Sequence, residues 1–157
     1  MQWKFDNSRC GPGVKLINDY TITFDESESV GPSQVLCENQ CIENERYYFE
    51  VIILNTKGIY HLKFNFTIKF LTNSLGRSIN IGITSQPTNL HRRCGTDDQG
   101  WSYSLFSGTV YHNGNWTPYG PAGGTGTRVG VAIDLSKNSV FFFINNKRYG
   151  KWVLVLK

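Results

Sequence analysis

Apolar and polar residues alternate with period two in short runs along this chain. No window sustains the three-and-four spacing of an amphipathic helix. Residues 47–54 form the strongest run, rich in aromatic and β-branched side chains, and predict a strand. Runs at 14–17 and 20–24 predict two short strands around the turn-forming pair Asn18-Asp19. Residues 27–33 carry Gly31-Pro32 and read as loop. Residues 79–84 predict a strand with Gly82 inside it, a position for close packing or a bulge. Runs at 101–105 and 109–112 flank the Phe106-Ser107-Gly108 turn, and Asn113-Gly114 turns the chain again. Residues 119–126 are glycine-rich loop, and runs at 129–133 and 139–144 predict a further pair of strands before the Asn145-Asn146 turn. Short strands with turns this frequent predict an all-β fold, an antiparallel β-sandwich of two sheets.

Composition narrows the function classes. At 157 residues the length fits a single domain spanning 1–157, and 39% apolar with 14% aromatic residues argues against disorder. The net charge of +4 is spread out, with Arg92-Arg93 and Lys147-Arg148 the densest spots. That is short of the basic stripe of a nucleic-acid binder, so no nucleic acid is expected as partner. The apolar runs are strand-sized, so no membrane helix is expected. Residues 1–10 lack the apolar run of a signal peptide, which favours a cytoplasmic or nuclear location and reduced thiols at Cys10, Cys37, Cys41 and Cys94. The sequons at Asn65 and Asn115 matter only in a secreted chain.

Most candidate chemistry dissolves on inspection. Cys37, Cys41, His91 and Cys94 supply four zinc-type ligands, but about fifty residues separate the two pairs and nothing in the sequence brings them together. Free thiols are the preferred reading, with no metal and no cofactor. Gly124-Thr125-Gly126-Thr127-Arg128-Val129 begins like a dinucleotide fingerprint, yet Val129 stands where the third glycine belongs and a strand follows instead of a helix. Asp97-Asp98 with Glu26 or Glu28 reads as solvated loop carboxylates. No nucleophile motif is present, so no enzyme activity is expected.

Six elements in order carry a resemblance. They are Tyr47-Tyr48-Phe49-Glu50-Val51, Ile81-Gly82-Ile83-Thr84, Gly100-Trp101-Ser102-Tyr103, Tyr111-His112-Asn113-Gly114, Val129-Gly130-Val131-Ala132-Ile133-Asp134, and Phe142-Phe143-Ile144-Asn145-Asn146 with Tyr149-Gly150. Together they resemble the SPRY domain family over most of the chain, and Tyr119-Gly120-Pro121 resembles the Ran-binding-protein type. The resemblance implies a bent, concanavalin-like sandwich with no chemistry of its own. It implies a protein-binding module whose loops on one rim hold a protein or short peptide, in the family often as the substrate-recognition or scaffold part of a ubiquitin ligase.

By that resemblance, the candidate partner-binding residues are Asn7, Ser8 and Arg9 in one loop, and Leu90, His91, Arg92 and Arg93 in a second. Tyr119 is a candidate aromatic anchor. The arginines suit carboxylate or carbonyl groups. Two departures from the family accompany the match. Residues 55–73 look inserted, and within them 60–70 alternate, with Leu62, Phe64, Phe66, Ile68 and Phe70 on one face. This reads as an added strand or arm covering a sheet edge, or as an insertion from an imperfect gene model. Residues 151–157 diverge from the family's continuation, so the last strands are expected to be missing, with 152–156 a possible substitute strand. A lectin-like carbohydrate-binding domain and a partial gene product without a stable fold are the alternatives. The oligomeric state is left open.

Overall fold

The computed structural model describes residues 4–25, 34–37, 41, 45–54, 59–64, 69–71, 79–85, 90–150 and 152–153. The strands are β1 (Phe5–Cys10), β2 (Val14–Asn18), β3 (Thr21–Asp25), β4 (Val35–Cys37), β5 (Arg46–Ile53), β6 (Ile59–Phe64), β7 (Lys69–Leu71) and β8 (Asn80–Thr84). They continue as β9 (Gly100–Ser104), β10 (Thr109–His112), β11 (Asn115–Pro118), β12 (Arg128–Asp134), β13 (Ser139–Ile144), β14 (Lys147–Arg148) and β15 (Trp152–Val153). A 3-10 turn over Leu135–Lys137 is the helical element among the described residues. All pairing is antiparallel. The larger sheet runs β14-β13-β12-β5-β6-β3-β2, the smaller β11-β10-β9-β8-β7, and β1 pairs β4 in a separate ribbon.

The core lies between the two sheets because alternation sends one face of each central strand inward. Phe49, Val51 and Ile53 of β5, Val129, Val131 and Ile133 of β12, and Val140, Phe142 and Ile144 of β13 are buried together. Register aligns them in rows: Val131 faces Phe49 on one side and Phe142 on the other. Trp101 and Tyr103 of β9 and Ile81 of β8 close the core from the smaller sheet. Gly82 faces Ser102 across the β8–β9 ladder, and a Cβ there would lie 1.9 Å from the Trp101 carbonyl oxygen. Only glycine allows that approach.

The predicted strands at 14–17, 20–24, 47–54, 79–84, 101–105, 109–112, 129–133 and 139–144 all appear, with ends moved by a residue or so. Two expectations change. Residues 60–70 are not one arm on a sheet edge. β6 sits inside the larger sheet, paired to both β5 and β3, while β7 joins β8 at the end of the smaller sheet. Residues 6–9 are not a free loop: they lie in β1, which pairs β4 through Phe5↔Cys37 and Cys10↔Val35. Five steps on β1 thus oppose two on β4, so 6–9 bulge out of the ladder. Trp3, Glu26, Glu28, Asn89, the 27–33 loop and 154–157 lie outside the described residues.

The outer edge of β13 is covered in three pieces. β14 pairs Phe143 and Ile144, and β15 pairs Ser139 and Val140, so Trp152 and Val153 take a strand position. Between them, the Tyr119 hydroxyl accepts from the Phe142 N–H at 3.1 Å and donates to the Phe142 carbonyl at 3.3 Å. One side chain thereby fills the gap a neighbouring strand would fill.

Candidate functional site

The segment 90–99 connects β8 to β9 and is held down along its backbone. Carbonyls of Arg92, Arg93, Cys94, Gly95 and Asp97 each accept a hydrogen bond: from the Gln34 Nε2, from Thr96, from the Ser102 hydroxyl at 2.7 Å, from the Gly114 N–H at 3.0 Å and from the Asn113 N–H at 3.0 Å. Cys94 is buried, its thiol directed to the Ile83 carbonyl at 3.2 Å. Gly95 takes φ +95°, and a Cβ there would lie 2.3 Å from the Tyr111 carbonyl oxygen. The loop can approach β10 so closely because this position has no side chain and tolerates a left-handed backbone.

This anchoring leaves side chains outward. His91 and Arg92 are exposed; Leu90 and Arg93 are half-buried. The six described arginines divide in two. Arg9 bonds the Asp6 carboxylate at 2.5 Å and the Cys37 carbonyl. Arg46 pairs with Asp134 at 2.8 Å, Arg128 with Glu50 at 2.6 Å, and Arg148 lies 4.0 Å over the Phe141 ring. Among the described residues, Arg92 and Arg93 make no ion pair. Asp97 and Asp98, in the same loop, are bonded to Gln99.

The 6–9 bulge is tied to this loop through Gln34, which bonds both Gly11 and Arg92. Asp6 organises it, accepting from the Ser8 N–H at 2.9 Å and the Ser8 hydroxyl at 2.5 Å. The Ser8 hydroxyl bond, with help from Arg9, holds the Asp6 carboxyl below its ordinary range despite some burial. Asn7 and Ser8 are exposed. The Cys10 thiol is pushed up to about 11 by burial and then by the Asp6 charge, so it stays protonated at neutral pH. Gln34 joins the two halves. It is 0% exposed, its side-chain amide donates to the Arg92 carbonyl, and its backbone carbonyl accepts from the Gly11 N–H at 2.6 Å. Gln34 carries no sequence signal for this role, since it stands alone before a three-residue strand.

Tyr119 does not join this cluster. Its N–H donates to the Gly108 carbonyl, beyond the Ser104 end of β9, whereas 90–99 packs at the Gly100 end. Its ring packs edge-on against Phe142 and Tyr103, and burial raises its pKa. The Tyr103 hydroxyl, pushed up to about 12 by burial, donates to the Pro121 carbonyl. Among the described residues no cysteine forms a disulfide, and no group of three or more His, Cys, Asp and Glu converges. No helix among them is long and apolar enough to cross a membrane.

Comparison with known proteins gives a consistent picture. The family profile described as SPRY domain matches residues 46–152. Ran-binding protein 9 of Xenopus laevis is 30% identical over 88 residues, covering 55% of this chain and 16% of that protein. Ran-binding protein 10 of Danio rerio is 29% identical over 94 residues, covering 59% and 15%. The chain thus spans about a sixth of the length of these relatives. Among solved structures, the SPRY domain of human HERC1 superimposes with a TM-score of 0.69 at 16% identity, covering 98% of this chain and 82% of that one. The TRIM65 PSpry domain gives 0.69 at 15% identity, covering 100% and 82%.

Proposed function

The chain belongs to the SPRY domain family, whose members are generally protein–protein interaction modules, and from that premise we propose that it binds a peptide segment of a partner protein through Arg92 and Arg93. The observation that carries this reading is the contrast among the arginines. Four have partners within the described residues, while Arg92 and Arg93 have no ion pair there and sit on a backbone fixed by five accepted hydrogen bonds. Fixed backbone with forked donors turned outward lowers the ordering cost of gripping a carboxylate or a peptide carbonyl. Asn7 and Ser8, on the neighbouring bulge, supply polar contacts beside them; Arg9 shapes the bulge. The role is recognition without catalysis, as a substrate-recognition or scaffold part of a larger assembly such as a ubiquitin ligase.

The test is quantitative affinity capture with the wild-type chain and the Arg92→Ala/Arg93→Ala variant, alongside thermal melts of both. The expected result is an unchanged melt and loss of the captured partner. Equal recovery by the two proteins overturns the assignment.

A further inference from the structure

Trp116 is a large exposed aromatic on β11, 42% exposed. A single exposed apolar residue is ordinarily unremarkable. This one is placed differently. Its ring stacks on Tyr111, with centroids 4.0 Å apart and planes 17° off parallel. Tyr111 in turn abuts Gly95, where a Cβ would meet its Cδ1 at 3.0 Å. Gly95 belongs to the turn closed by the Thr96 hydroxyl on the Arg93 carbonyl at 2.8 Å. Contacts therefore run from the Arg93 backbone through Thr96, Gly95 and Tyr111 to Trp116, and the 90–96 loop and the Trp116 ring share one face of the smaller sheet.

We propose that Trp116 is the aromatic anchor of the partner site, and that its occupant is an extended acidic peptide. A flat apolar side chain, proline or aromatic, stacks on Trp116, while a neighbouring Asp or Glu meets Arg92 or Arg93. This deepens the rim reading above and rests on it. Charge complementarity selects the occupant: Arg92 and Arg93, on the loop that covers this face, have no ion pair among the described residues, and the loop's own carboxylates, Asp97 and Asp98, hydrogen-bond Gln99 rather than either arginine. The stack prepays the ordering of the indole, because Tyr111 already fixes one of its faces.

The probe is a random displayed 12-residue peptide library selected against the full chain. The consensus peptide is then synthesised and titrated into wild type, Trp116→Ala, Trp116→Phe and Arg92→Ala/Arg93→Ala. The expected consensus joins Asp or Glu to a nearby proline or aromatic. Trp116→Ala is expected to weaken Kd by about tenfold or more, as does loss of an interface anchor. Trp116→Phe keeps most of the affinity. In wild type, the Trp116 indole N–H resonance shifts on titration, a readout that does not depend on any variant folding. If Arg92→Ala/Arg93→Ala weakens binding and Trp116→Ala does not, the anchor is refuted and the rim reading stands. If neither matters, both fall. A consensus without acidic residues, or self-association of the chain that Trp116→Ala abolishes, overturns the acidic-peptide occupant.

Discussion

Removing one oxygen atom tests how the edge of the larger sheet is completed. Tyr119→Phe keeps the ring against Phe142 and Tyr103 but deletes the hydroxyl that serves both the N–H and the carbonyl of Phe142. Phe142 is 0% exposed, so its peptide groups have little recourse to bulk water. A typical hydrogen bond contributes about 0.5–1.5 kcal/mol net, and a buried group left unsatisfied costs about 1–3 kcal/mol. Tyr119 is only half-buried, so water entering beside it offsets part of two such losses, which leaves about 2 kcal/mol. At roughly 2–4 °C per kcal/mol for a domain of this size, Tm falls by about 4–8 °C. Urea unfolding gives the free energy, and amide exchange at Phe142 gives the local readout, expected to accelerate. Tyr48→Phe is the control: that hydroxyl bonds Glu50 on the exposed outer face, and its loss is expected to cost no more than about 0.5 kcal/mol. A Tyr119→Phe cost below about 0.5 kcal/mol, matching the control, would falsify the reasoning.

Other perturbations separate the remaining elements. Gly95→Ala places a Cβ 2.3 Å from the Tyr111 carbonyl in a left-handed backbone; a loss of about 2 kcal/mol or more, with weakened partner capture, is expected from urea unfolding and affinity capture. Asp6 has a depressed folded pKa, so its contribution is present above the unfolded value near 3.8 and is lost as pH falls through the folded value. Unfolding measured from pH 6 to pH 2 should therefore show wild type losing its advantage over Asp6→Asn below about pH 4; a constant difference would contradict this. Asn145 and Asn146, at φ 50° and 66°, make the two-residue β13–β14 turn. Asn146→Gly should stabilise by about 0.5 kcal/mol, because Asn-Gly suits that turn best; a lower urea midpoint would contradict it.

The sequence was most informative where local signals agree. Tyr47 to Val51, Val129 to Ile133 and Val140 to Ile144 are dense in β-branched or aromatic residues, the last closes on the Asn145-Asn146 turn, and each is a core strand of the larger sheet. It was least informative where a partner is distant. The polar run Asp6 to Arg9 shows no alternation, and its three-residue partner β4 begins 25 positions after Cys10. Residues 60–70 alternate throughout, and alternation does not record that the chain leaves one sheet for the other. The three arginines expected to act together look equivalent as residues. Arg9 has Asp6 three residues away and Arg93 has Asp97 four away; the structure closes the first pair across a bulge and leaves Asp97 bonded to Gln99. Tyr119, the expected aromatic anchor in the glycine-rich loop, packs instead against Tyr103 and Phe142. Its inward direction depends on a gap in the β13 edge left between β14 and β15. Trp116 had one local sign, its place just after the Asn113-Gly114 turn, and its significance came only from the stack on Tyr111.

The central claim is that a partner engages the face built from 90–96 and the Tyr111–Trp116 stack. Hydrogen–deuterium exchange of the full chain, alone and with the library-selected peptide, tests it most directly. Protection concentrated at residues 90–96 and 111–116, with little change at 105–108 and 120–126 at the opposite end of β9, is the predicted result. Protection concentrated at 105–108 and 120–126 would place the partner at the wrong end of the sandwich and contradict the account.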